Sequence, residues 1–199
     1  MSKWLIRLWI FISLWVVGPT ALAGERYDFD KVHTQILFFV DHLGFSKSQG
    51  EFHDYSGRFI FDPDDWRDAE VDIRIRTASL DMDDQRWDER LRGKDFFAVD
   101  QYPEMRFRSL KVERLGERDG RIQGELSLLG VTRPLNIDFH FNKAAVHPLS
   151  RQFVAGFSAR ASLKRSDFGM KYGPGIIGDE VEIRLEVEGV RREQGLLAE

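Results

Sequence analysis

The sequence has no cysteine, which excludes disulfides, thiolate metal sites and a cysteine nucleophile. It has little excess charge of either sign, 29 Lys and Arg against 33 Asp and Glu. Nucleic acid is therefore not expected as a partner, because no basic field exists to hold its phosphates. Tyrosine is scarce, 4 residues against 16 phenylalanines, so most of the aromatic surface has no polar handle and needs an apolar place to sit. Beyond residue 23 no apolar run approaches the roughly 20 residues of a membrane-spanning helix. Neither a G-x-S-x-G elbow, a P-loop nor a glycine-rich dinucleotide fingerprint occurs. His33, His42, His53, His140 and His147 lack H-E-x-x-H or H-x-H spacing, although histidines on separate strands could still converge. The sequence thus calls for no metal and no cofactor.

What is present begins with an export signal. Lys3 and Arg7 precede the apolar run Leu8 to Val17, Pro19 ends it, and Ala21-Leu22-Ala23 offers small residues at a cleavage site. This is the pattern of a secretory signal peptide over 1–23, which predicts a domain over 24–191 and a frayed tail over 192–199. A cysteine-free exported chain also avoids wrong pairings in an oxidising compartment.

The domain has a dominant period of two. Val71 to Thr77, Leu135 to Phe141 and Val181 to Glu188 alternate apolar with polar residues, as do Ile122 to Leu128. Each is a strand with one buried and one wet face. Ile36 to Val40 is continuously apolar, which suggests cover on both faces. Met105 and Phe107 share one parity and Leu110 and Val112 the other, which predicts a bulge near Ser109. The runs fall at about 33–43, 49–54, 57–62, 70–79, 104–114, 120–129, 133–143, 152–163 and 180–190. Strands at this spacing with almost no interleaved helix predict an all-β barrel or sandwich. One stretch differs. Asp84 to Gly93 places Trp87 and Leu91 on one helical face, with early acids and a late Arg92, and reads as a short helical lid.

Phe38, Phe52, Phe107, Phe139, Phe141, Phe153 and Phe157 share the inward parity with the small residues Gly124, Ala155, Ala159 and Ala161. Two interiors fit that mixture. Rings and small residues can interdigitate in a solid core, or they can line a tube, since eight strands leave an interior just wide enough for side chains or for one small ligand. On the strand 152–163, Arg160 and Ser162 fall on the opposite, outward parity. Arg165 follows that strand directly, where it can pair locally with Asp167 or hold a ligand's polar end. Arg86, Arg90, Arg92 and Lys94 form a basic stretch that reads first as a solvated helix face.

In order along the chain stand Tyr27-Asp28-Phe29-Asp30-Lys31-Val32-His33-Thr34, Asp41-His42-Leu43-Gly44-Phe45-Ser46 with Gly50-Glu51-Phe52, Lys94-Asp95-Phe96-Phe97 with Tyr102-Pro103, Leu128-Leu129-Gly130-Val131-Thr132-Arg133-Pro134, and Lys164-Arg165-Ser166-Asp167-Phe168-Gly169-Met170. Together these stretches resemble the YceI-like family of lipid-binding periplasmic proteins. The resemblance implies a lipocalin-like antiparallel barrel of about eight strands. Its lumen would take a long isoprenoid chain such as a polyprenyl quinone or polyprenyl phosphate, without catalytic activity. It makes the tube the expected interior, with Phe38, Phe52, Phe107, Phe139, Phe141, Phe153, Ala155, Phe157 and Ala159 as lumen residues. His42, Arg90 and Arg165 are nominated for the mouth. Where the family usually reads Arg-Asp-x-His-Leu, this chain has Trp87-Asp88-Glu89-Arg90-Leu91, so no family role carries over to positions 87 and 90. The implied partners are the lipid, transient contact with a membrane surface or a membrane protein, and a second copy in a homodimer. A barrel enzyme acting on an apolar substrate and a filled, partner-binding barrel are the alternatives.

Overall fold

The computed structural model describes residues 24–192, so the expected signal peptide and all of the tail beyond Arg192 lie outside the described residues. Eleven strands and one α-helix make up the domain. In chain order the strands are β1 (Glu25–Phe29), β2 (Gln35–His42), β3 (Ser46–Phe52), β4 (Tyr55–Phe61), β5 (Glu70–Arg76) and β6 (Leu80–Asp81). Helix α1 (Gln85–Arg92) follows, then β7 (Glu104–Arg114), β8 (Asp119–Leu128), β9 (Val131–Val146), β10 (Phe153–Lys164) and β11 (Ile177–Arg191).

The eleven strands are eight staves of one closed antiparallel barrel, because three staves are broken. β11 pairs with β2 along Ile177 to Glu186 and with β1 along Gly189 to Arg191, so β1 and β2 form one stave with a jog at 30–34. β3 pairs with β2 and β4 with β1, which makes β3 and β4 the next stave. β5 pairs with β4 and β6 with β3, giving the third. From there each strand pairs with its successor, β5 with β7 and on to β10 with β11, and the β1–β11 pairing closes the ring. Closure through β1 and β11 leaves only β6 and the start of β3, at the end beside α1, without a second strand neighbour among the described residues.

Local chemistry sets the turns and irregularities. Leu129 and Gly130 have φ of 52° and 74°, the two left-handed positions that a two-residue hairpin between β8 and β9 requires. The β7–β8 register shifts between Ser109 and Lys111, and Leu110 is the extra residue, turned out to solvent. Val112 thereby returns to the inner face, and the Ser109 hydroxyl accepts the Val71 N–H at 2.9 Å. Large and small residues interlock across the inner face, between neighbouring staves and across one stave to the next. A Cβ on Gly124 would lie 2.4 Å from the Phe107 ring, and one on Gly189 would lie 2.3 Å from the Phe59 ring.

Two expectations need correction. The outer face of β2 is not buried by a second layer. Phe39 is only half-buried, with the Arg184 guanidinium 4.5 Å from its ring centroid. The short β1 was not expected as a strand, since only Tyr27 of its five residues is buried and no alternation shows.

Candidate functional site

The inner faces of the staves enclose a cavity of about 280 Å³ with walls of hydrocarbon. Its two ends differ. At the end formed by the β7–β8 and β9–β10 turns, aromatic rings fill the interior. Phe61 meets Phe157 at 4.9 Å and Phe141 at 5.1 Å between centroids, Trp66 meets Phe139 at 5.3 Å, and Tyr27 stacks on Phe59 at 4.9 Å. Trp66 is placed by the Asp62–Asp65 turn, where its indole N–H donates to the Pro63 carbonyl at 3.1 Å. Phe61, Phe139 and Phe157 are the floor of the cavity. Above them aliphatic side chains, Ile36, Ile75, Leu126, Leu135, Ile183 and Leu185, join rings such as Phe38, Phe52 and Phe107 in the wall.

The mouth lies at the opposite end, between α1, the β2–β3 turn and the loop before β11. Asp84 caps α1 by accepting the Arg86 and Trp87 N–H groups. The helix turns Trp87 and Leu91 toward the cavity, and Phe96 and Phe97 follow in the next loop. Arg92 fastens the helix to the barrel, donating to the Ala78 and Leu80 carbonyls at 3.0 and 2.6 Å and pairing with Asp88 at 3.6 Å. The rim outside is apolar. Phe45 is 87% exposed, and Leu43 and Ile176 are also exposed, with the Leu43 N–H donating to the Ile176 carbonyl at 3.2 Å.

Of the residues named from sequence, Phe38, Phe52, Phe107, Phe139, Phe157 and Ala159 line the cavity, as do His42 and Arg165 at the mouth end. Four do not. Ala155 is fully buried within the aromatic plug, below the floor. Phe141 packs there against Trp66, Phe61 and Phe157. Phe153 sits at the plugged end with the Arg191 guanidinium 4.3 Å from its ring centroid. Inward parity is therefore necessary for reaching the lumen but not sufficient, because position along the stave decides between plug and cavity. Arg90 lies on the outer side of α1, 3.3 Å from Asp95 and 4.5 Å from the Tyr172 ring centroid, so its charge is spent locally.

Arg165 does not pair with Asp167. It is 5% exposed, and its guanidinium donates to the carbonyls of Gly178, Met170 and Ile177 at 2.8, 2.9 and 3.0 Å. These partners are neutral, and three bonds use three of the five guanidinium N–H donors; the lumen surface beside Arg165 is nonetheless almost wholly apolar. Asp179 lies nearby. Its carboxyl is held below the usual range, first by the Ser166 hydroxyl and then also by the charges of Arg165 and Lys164. Sequence reading missed Trp66, the floor residue Phe61 and the aliphatic residues of the upper wall. Trp66 follows a turn rather than sitting in an alternating run, so no periodicity pointed to it.

A closed antiparallel barrel with a plugged end and a hydrocarbon lumen open at the other end defines a class of barrels suited to enclose an apolar ligand. The YceI-like domain family matches residues 27–189, and the chain belongs to that family. A UPF0312 protein of Shewanella oneidensis is 35% identical over 192 residues, covering 96% of this chain and all of that one. Among solved structures, Burkholderia cenocepacia BcnA aligns with a TM-score of 0.74 at 22% identity, over 81% of this chain and 99% of that one. A polyisoprenoid binding domain from Saccharophagus degradans aligns with a TM-score of 0.64 at 15% identity, over 83% of this chain and 98% of that one. At such identities these two structures speak for the fold.

Proposed function

We propose that this chain is an exported, periplasmic binding protein that holds an isoprenoid lipid, such as a polyprenyl quinone or polyprenyl phosphate, in the barrel lumen. The observation that carries the reading is the one-ended hydrocarbon cavity with a buried, carbonyl-bound Arg165 at its mouth. An isoprenoid chain is costly in water, and burial returns about 0.8 kcal/mol per CH₂-sized unit. The wall supplies that return without directional contacts, which suits binding rather than turnover. Arg165 and His42 are the groups for a polar or anionic head. The exposed apolar rim of Leu43, Phe45 and Ile176 suits transient contact with a membrane surface during loading. The Saccharophagus domain, a polyisoprenoid binder of the same fold, supports the choice of ligand.

Protein purified from an expressing cell should release a polyprenyl species on solvent extraction, read by mass spectrometry. Protein that is folded, carries no lipid and fails to take up added polyprenyl lipid would contradict the reading. Export predicts that the purified chain starts at Gly24. Retention of Lys3 and Trp4 in a membrane fraction would contradict it.

A further inference from the structure

The jog between β1 and β2 carries chemistry that the lumen does not use. There the chain leaves β11 at Asp30 and rejoins it after Thr34, and the gap is held by hydrogen bonds to the backbone of one residue of β11. Asp30 N–H donates to the Glu188 carbonyl at 2.9 Å, and the Thr34 hydroxyl donates to the same carbonyl at 3.0 Å. The Glu188 N–H in turn reaches the Thr34 hydroxyl at 3.1 Å. Thr34 is 5% exposed, so this clamp is shielded from competing water. The Val32 N–H fixes one oxygen of Asp30 at 2.8 Å. The other Asp30 oxygen lies 2.8 Å from His33 Nδ1, and Glu188 Oε2 lies 4.0 Å from that same nitrogen. One imidazole nitrogen and two carboxylate oxygens thus converge, all within 4.8 Å of one another.

Convergence distinguishes this cluster from the other histidine with two acidic neighbours. His53 offers Nε2 to Asp81 at 3.1 Å but Nδ1 to Glu51 at 3.9 Å. Its acids sit on opposite ring nitrogens and cannot share one ion. At Asp30, His33 and Glu188 both acids face one nitrogen. Metal–ligand bonds of about 2.0–2.2 Å put tetrahedral donors about 3.4 Å apart, and the spacings from His33 Nδ1 of 2.8 Å to Asp30 and 4.0 Å to Glu188 lie on either side of that value. His33 is exposed, and Asp30 and Glu188 are partly so. The ammonium of Lys31, within the jog, pairs with Asp54 at 3.4 Å.

We propose that Asp30, His33 and Glu188 form a binding site for a divalent transition-metal cation of the Zn²⁺ type, with solvent in the open coordination position. The donor set of one borderline nitrogen and two hard oxygens suits such an ion, and two carboxylates match its charge. The ion would tie the jog to β11 from outside the barrel, at the break in the closing stave. The site is independent of the lipid reading.

The test is a Zn²⁺ titration by calorimetry on tag-free purified protein, the parent beside His33→Ala, Glu188→Gln and His53→Ala, each checked by circular dichroism. The parent should bind one equivalent and melt at a higher temperature with it. His33→Ala and Glu188→Gln should each weaken binding about tenfold or more, and His53→Ala should leave it unchanged. Absence of saturable binding in the parent would overturn the proposal. So would parent-like affinity in folded His33→Ala and Glu188→Gln, or an equal loss in His53→Ala.

Discussion

Below Phe157, the inward positions of the barrel carry Tyr27, Phe61, Trp66, Phe141 and the fully buried Ala155, and the rings touch one another. Above it, the same staves carry Ile36, Leu135, Ala159 and Leu185 around open space. One alternation therefore builds two interiors. Rings packed on rings from every side fill one end of the tube, while toward the mouth Phe38, Phe52 and Phe107 stand among aliphatic side chains and Ala159, and space remains. A solid, ring-filled core and an open apolar tube, the two interiors that the Phe and Ala pattern leaves open, are both present, at opposite ends. On the proposed lipid reading, the ring-packed floor sets how deep an apolar chain would go, and the mouth, covered by a two-turn helix rather than a strand, is where it would enter.

The contrast predicts unequal responses to substitution. The largest is at the plug. Trp66→Ala removes a 4%-exposed indole that touches Phe61, Phe139 and Phe141, and should cost about 3–5 kcal/mol in denaturant unfolding. A loss no greater than that of a surface substitution would show that the rings do not form a packed plug.

At the mouth, Arg165→Ala strands three carbonyls and should cost about 1–3 kcal/mol. Arg165→Lys keeps the charge and should recover head affinity more than stability, because an ammonium cannot reach three diverging carbonyls. Equal recovery of both would make the residue a clasp alone.

The smallest effect concerns a surface pair beside the mouth. Glu182 accepts from Lys47 at 2.7 Å and from Arg184 at 2.7 Å, and these bonds hold its carboxyl down at about 2. A depressed carboxyl contributes stability above its unfolded value of about 4.3 and loses it as pH falls toward 2. Glu182→Gln should therefore melt slightly below the parent at pH 7, with the gap closing by pH 2. A gap that persists unchanged at pH 2 would assign the effect to something other than charge.

Much of this architecture was legible. Val71 to Thr77 and Val181 to Glu188 announce half-buried strands, the parity switch at Ser109 announces its bulge, and Asp84 with Trp87 and Leu91 announces the one helix. Depth along the barrel axis was not legible. Parity tells which face a side chain takes, and nothing in the order Phe153, Ala155, Phe157, Ala159 tells where the floor lies. That depends on Trp66, delivered from a turn. The partners of Arg165 were equally hidden, since backbone carbonyls leave no mark in side-chain spacing. Arg90 was misplaced because charge near a mouth says nothing of which helix face carries it.

The paired substitutions Ala155→Trp and Ala159→Trp test the central claim most directly, because the two alanines share one strand and one parity and differ only in depth. Melting should be measured on delipidated protein, and uptake of a polyprenyl lipid on both forms. Ala155→Trp should overpack the plug at a cost of about 1–3 kcal/mol or more. Ala159→Trp should melt close to the parent, with its indole in the lumen, and should lose lipid binding. Destabilisation of Ala159→Trp equal to that of Ala155→Trp, or lipid uptake by Ala159→Trp equal to the parent's, would contradict the account.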